Sequence, residues 1–175
     1  PAGSVSMHEN VTTAEAVVLS TLQVPPGSRR RIVCCEGDFP STIYLCRAQE
    51  ALGFDLVVVP SEPDLSVDVQ RVVDTIDERT VLVAVSHVLF RSAFILDPAP
   101  IVERAHAVGA SVVLDTYQSA GIVPVDVATL GVDYATGGGT AVPTTHYTPA
   151  SGTLTFPTGV LSRTFTVTTF DDGVV

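Results

Sequence analysis

Short, nearly continuous apolar runs alternate with segments of helical spacing along the first three quarters of the chain. Residues 31–35 form a β-rich run, and 40–52 follow with Ile43, Leu45, Cys46, Ala48 and Leu52 at roughly helical intervals. Gly53 stands where it closes that helix. The pattern then predicts a strand over 54–59, an amphipathic helix over 67–76, a strand over 80–85, a helix over 99–108 stopped by Gly109, and a strand over 110–115. Upstream, 14–22 is apolar-periodic behind Thr12 and Thr13, either of which can cap a helix. Strands apolar on both faces and separated by helices belong to a sheet covered on two sides. The expected fold class is α/β, three-layer, around a mostly parallel sheet.

After Gly139 the pattern changes. Arg163 is the one charged residue between 140 and 170, and Ser plus Thr occur thirteen times from 140 to 175. Residues 153–156 and 162–168 alternate polar and apolar, as strands with one solvent face do, and Pro157-Thr158-Gly159 between them reads as a turn. A C-terminal antiparallel β-hairpin extension is therefore expected, with a boundary or splice near the glycine run 137–139. Residues 1–6 lack a basic n-region and an apolar h-region, and read as a cloning remnant rather than a signal peptide.

Composition narrows the function. With 175 residues, 46% hydrophobic and 16% charged, the chain can bury a sizeable core, and disorder is not expected. Nine basic against nineteen acidic residues leave a net charge of -10, so the cationic footprint that grips nucleic acid or anionic lipid is missing. The longest apolar runs, 56–59 and 81–85, fall far short of the ~20 residues of a membrane helix, so neither nucleic acid nor membrane is an expected partner. Cys34, Cys35 and Cys46 show no metal-ligand or redox spacing and are expected as buried free thiols. The natural compartment is left open; as expressed, a soluble cytoplasmic protein is expected. All nine basic residues are arginines, so the chain contains no lysine.

Two features suggest an aldehyde cofactor with a phosphate handle. The start of the helix behind Thr12 has free N–H groups and a dipole suited to phosphate, although an ordinary N-cap explains the same residues. In Leu114-Asp115-Thr116-Tyr117-Gln118 an acid closes an apolar strand at its carboxyl end, where open α/β sheets place ligands. A carboxylate buried there needs a partner, either a protonated pyridine nitrogen or a structural hydrogen-bond network.

Residues 7–139 resemble the central part of the large domain of a kynureninase-like enzyme, within the class V aminotransferase group of pyridoxal-phosphate (PLP) proteins. The resemblance rests on Asn10-Val11-Thr12, Gly37-Asp38-Phe39-Pro40-Ser41-Thr42, Ser86-His87-Val88, the stretch from Leu114 to Gly121, and that from Gly131 to Gly138. It implies a PLP-dependent transferase-like large domain in which Thr12 meets the cofactor phosphate, Phe39 lies against the ring, Asp115 pairs with the pyridine nitrogen and Gln118 reaches the ring hydroxyl. Ser86 and His87 would line the same pocket. In kynureninases the position of Thr42 tends to be acidic and that of Gln118 tends to be His; Gln118 is similar to the wider group, cysteine desulfurases included. The family's Schiff-base lysine is expected a few residues beyond the glycine pair, where this chain has Thr140, Ala141, Val142 and Pro143. None is an amine nucleophile, so no catalytic turnover is expected.

Residues 132–175 resemble the middle strands of a Calx-beta domain, ending in that family's Asp171-Asp172. Residues 132–138 fit both families, which makes the chain a chimera built on a shared bridge, expected to pack as one domain. By that resemblance Asp171 and Asp172 are a weak calcium candidate, since calcium prefers six to eight oxygen ligands. The leading expectation is a chimeric scaffold, engineered or natural with an engineered origin favoured, and with no cofactor. The alternatives are a noncovalent pyridoxal-phosphate binding protein or a weak calcium-binding module. A truncated sheet edge exposes unpaired backbone, so the tail strands are expected to cover it, or else a homodimer forms through it.

Overall fold

A computed structural model describes residues 8–22 and 29–136. Within them, five parallel strands form one sheet: β1 (Arg31–Cys35), β2 (Asp55–Val59), β3 (Thr80–Ser86), β4 (Ser111–Asp115) and β5 (Tyr134–Thr136). Their order across the sheet is β2-β1-β3-β4-β5. Helices α1 (Val11–Ser20) and α2 (Pro40–Ala48) pack on one face, and α3 (Val69–Thr75) and α4 (Ala99–Ala107) on the other; α5 (Val127–Leu130) is a short helix before β5. The expected three-layer α/β architecture with a mostly parallel sheet is the observed one.

Strands β1, β3 and β4 form where the apolar runs place them because both of their faces are covered. In β3, Leu82 and Ala84 join Val18 and Leu19 of α1 and Cys46 of α2, while Val83 and Val85 join Val72 of α3 and Ile101 and Ala105 of α4. Alternation with a period of two thus divides one strand between two cores. The α3–α4 side holds the larger cluster, including Val33, Val112 and Leu114, each fully buried. Cys34, Cys35 and Cys46 are buried free thiols.

Several element ends differ from the sequence reading, and local hydrogen bonds account for three of them. Asn10, not Thr12 or Thr13, caps α1: its extended backbone lets Oδ1 accept from the Thr13 N–H at 2.8 Å and the Thr13 hydroxyl at 3.1 Å. The expected helix over 40–52 is α-helical to Ala48 and tightens into a 3₁₀ turn over Gln49–Leu52, which Gly53 ends at φ +92. Asp68 caps α3 by accepting from the Gln70 and Arg71 N–H groups, so that helix starts two residues later than the apolar pattern suggested. The 134–136 segment joins the sheet as β5, in register with Val113–Asp115 of β4. The hairpin over 151–169, the glycine run, the remnant 1–6 and Asp171-Asp172 lie outside the described residues.

Candidate functional site

The chain runs from β1 outward to β2 and then crosses to β3 on the opposite side, so the sheet changes direction between β1 and β3. Open α/β sheets hold ligands at the carboxyl ends of strands beside such a point. A cavity of about 300 Å³ lies there. The start of helix α1 presents Asn10, Val11 and Thr12 to it, and the start of α2 contributes its N-cap Phe39 and Ser41. From the end of β3 come Ser86, Val88 and Phe90, and from the end of β4 come Asp115, Tyr117 and Gln118. Thr12 and Ser41 join the first turns of two helices, the Thr12 hydroxyl donating to Ser41 Oγ at 3.0 Å. At the rim, the Phe39 and Phe90 rings meet edge to face with centroids 5.1 Å apart.

Behind this pocket lies an acid cluster. Asp38 is buried and clamps two strand ends, its Oδ2 accepting from the Cys35 N–H at 2.6 Å and Oδ1 from the Ser86 N–H at 2.7 Å. Burial raises its carboxyl to about 6 against the pull of those bonds. Glu15 is 4% exposed among Val18, Leu19, Leu82 and Val113, with the Thr42 hydroxyl as donor at 2.9 and 3.0 Å to its two oxygens. Burial pushes Glu15 up to about 7, the Thr42 bond opposing and the nearby Asp115 and Asp38 adding to it. Asp115 ends β4 beside Ser86 of β3, and its Oδ1 accepts from the Tyr117 N–H at 2.8 Å. Burial raises its carboxyl as well, the Tyr117 bond opposing. No Arg or His lies among the described residues lining the cavity.

Five of the six cofactor-site residues expected from the sequence therefore converge: Thr12, Phe39, Ser86, Asp115 and Gln118 line one pocket. His87 is the correction. One residue past Ser86, it lies outside the cavity lining; its backbone N–H donates to the Asp115 carbonyl at 2.8 Å. Its ring is buried with Nδ1 unbonded, and burial lowers its pKa, with Asp97 opposing. Alternation explains this, because Ser86 and His87 point to opposite sides of an extended chain. Sequence reasoning missed Asn10, Ser41, Phe90 and Tyr117 at the pocket and the buried Glu15. For Glu15 a signal existed: it stands three and four residues before Val18 and Leu19, on the buried stripe of α1. His106 sits on α4 and meets Asp133 Oδ2 at 3.0 Å.

A doubly covered parallel sheet with an acid-backed pocket at its carboxyl edge is the architecture of an open α/β domain. Comparison with known proteins makes this specific. The aminotransferase class-V family matches residues 6–140, and the chain belongs to that family. It is 30% identical to a kynureninase of Geobacillus thermodenitrificans, over 77% of this chain and 34% of the relative. It is 29% identical to a cysteine desulfurase of Edwardsiella ictaluri, over 59% of this chain and 26% of that protein. Among solved structures, a lysine-to-alanine mutant of C-DES with glycine covalently linked to its PLP cofactor superposes with a TM-score of 0.64 at 27% identity, covering 73% of this chain and 34% of that one. The chain spans about a third of the length of the curated relatives it matches. No helix among the described residues is long and apolar enough to cross a membrane.

The residues present suit part of that cofactor. Asp115 offers a buried carboxylate with no ion pair among the described residues, which a protonated ring nitrogen would satisfy. Phe39 offers an aromatic face at the rim, and the hydroxyls of Thr12 and Ser41 stand at the start of α1 and α2. The amine that would bond the aldehyde is absent from the whole sequence.

Proposed function

We propose that this chain is a class-V large-domain segment that holds pyridoxal phosphate noncovalently and does not turn substrate over. The observation that carries this reading is a buried Asp115 at the wall of a cavity, in a chain with no lysine. When bound, the cofactor supplies an electron sink. Asp115 would hold the proton of the ring nitrogen, Phe39 would lie against the ring, Gln118 would meet the ring hydroxyl, and Thr12 with Ser41 would meet the phosphate. The C-DES mutant lends support, since its PLP site is occupied after a lysine-to-alanine change. Titration with pyridoxal phosphate is expected to give saturable thermal stabilisation and free-aldehyde absorbance, with no product from an amino-acid donor. No spectral change and no stabilisation at millimolar cofactor, or repeated turnover, would overturn it.

The same proposal includes the tail. Residues 132–138 serve as a bridge from the class-V segment to a Calx-beta-like one, which makes the chain an engineered chimera; the support is the double resemblance of that bridge. Calcium titration by calorimetry is expected to give no heat, and a saturable heat lost on Asp171→Asn would favour a calcium module instead. Light scattering decides whether the sheet edge pairs two copies, a clean monomer excluding the homodimer.

A further inference from the structure

We propose that Glu15 is a positioning residue of this pocket that works through its proton: neutral, it joins α1 to α2 beneath the phosphate end of the ligand, and ionised, it opposes a phosphorylated ring there. This rests on the pocket reading above and concerns what governs occupancy of that site.

Helices α1 and α2 are joined by two successive side-chain contacts. Thr12 meets Ser41 at the cavity wall, and Glu15, one turn further along the same face of α1, meets the next residue of α2, Thr42. The first contact stands where the backbone N–H groups of Val11 and Thr12 have no acceptor among the described residues, a setting that favours phosphate. The second is buried, with Glu15 4% and Thr42 3% exposed. Val113, which packs on Glu15, and Asp115 at the cavity wall lie two residues apart on one face of β4, about 7 Å along the strand.

Around Glu15, α2 brings Thr42 and Cys46, β3 brings Leu82 and Ala84, and β4 brings Val113. The charges acting on it are those of Asp115 and Asp38, and β5, which also packs on α1, has Tyr134 as its titratable residue. None of these groups is a cation. A carboxylate here has one hydroxyl donor for two oxygens, whereas the neutral acid carries an O–H of its own that the Thr42 oxygen can accept. Burial, with Asp115 and Asp38 adding to it, holds the pKa of Glu15 at about 7, so its proton exchanges near neutral pH. A phosphate ester brings about -1.5 to -2 charges, and a ring cation draws Asp115 into its ionised form. Both disfavour a further anion at Glu15, so binding and the Glu15 proton favour each other.

Titration of the full chain and of Glu15→Gln with pyridoxal phosphate, from pH 5.5 to 8.5, tests this. Across that range the ratio of the two affinities is expected to move at least about threefold in favour of the variant, since titration of the ligand itself is common to both. A ratio that stays constant or moves toward the parent overturns this inference and leaves the pocket reading standing; no binding by either protein at any pH overturns both. Thr42→Val is expected to weaken binding at pH 6 by about threefold, and unchanged affinity would overturn the positioning role. The parent gives a further readout without substitution. By linkage, a threefold difference in affinity between protonated and ionised Glu15 equals about 0.5 in its titration midpoint. Carbon NMR of the chain labelled at its glutamate carboxyls is expected to show the resonance that titrates near pH 7 moving up by at least that amount on saturation with pyridoxal phosphate. An unchanged or lowered midpoint overturns the inference.

Discussion

The two faces of the sheet are made from the same strands and do different work. On the α3–α4 face, Val33, Val83, Val85, Val112 and Leu114 meet Val72 and Ile101 in a cluster that is apolar throughout. On the α1–α2 face a smaller cluster, centred on Val18, Ile32, Leu82 and Val113, is bordered by Glu15, Thr42, Ser86 and Asp115. Neighbouring residues fall on opposite sides of this division: Val85 and Leu114 face one core, Ser86 and Asp115 the other. A parallel sheet can therefore concentrate stability on one face and tolerate unpaired acids at the end of the other. The pocket sits on the face that has the less apolar core.

Substitutions on each face should separate these roles. The largest effect is expected from Leu114→Ala, which removes a fully buried side chain from the apolar face and should cost about 2–5 kcal/mol in urea unfolding, with no direct loss of a pocket group. Asp38→Ala should cost about 2–4 kcal/mol, because it leaves the buried N–H groups of Cys35 and Ser86 without their acceptor. Glu15→Gln should instead stabilise the protein at alkaline pH. The folded-state carboxyl of Glu15 is raised from 4.5 to about 7, so the native state holds the extra proton between those values. Stability contributed by Glu15 is thus fully present below about pH 4.5 and is lost as pH rises through about 7. The Gln variant should match the parent near pH 4 and exceed it by on the order of 2–3 kcal/mol at pH 8. His87, lowered by burial, acts in the opposite sense at acid pH, so the Glu15 effect is read from the difference between the two proteins. The smallest effect is expected from Gly109→Ala: at φ +72 a side chain is strained, and the added Cβ would meet the Arg29 guanidinium at 2.7 Å, costing about 1 kcal/mol.

Much of the fold was readable because its central strands β1, β3 and β4 are buried on both sides, which makes them continuous apolar runs with helices between. Boundaries moved where a local hydrogen bond outweighed the apolar pattern. Asn10 caps α1 ahead of two threonines that look equally suitable, and Asp68 delays α3. The site was legible through residues near strand ends, Ser86 and Asp115 above all. His87 was misplaced because nearness along an extended chain does not mean a shared side. Phe90 could not be placed from sequence at all. It reaches the pocket from a loop after β3 whose path depends on the bridge between Val88 and Ile95, a contact with no signature in the residues themselves.

The central claim is that the ring is held at this pocket without a covalent bond to the chain. Its most direct test is intact mass after incubation with pyridoxal phosphate, borohydride reduction and dialysis. The expected result is the unmodified mass of the chain, with the cofactor recovered in the dialysate. A stoichiometric gain of the cofactor's mass on one side chain would contradict it.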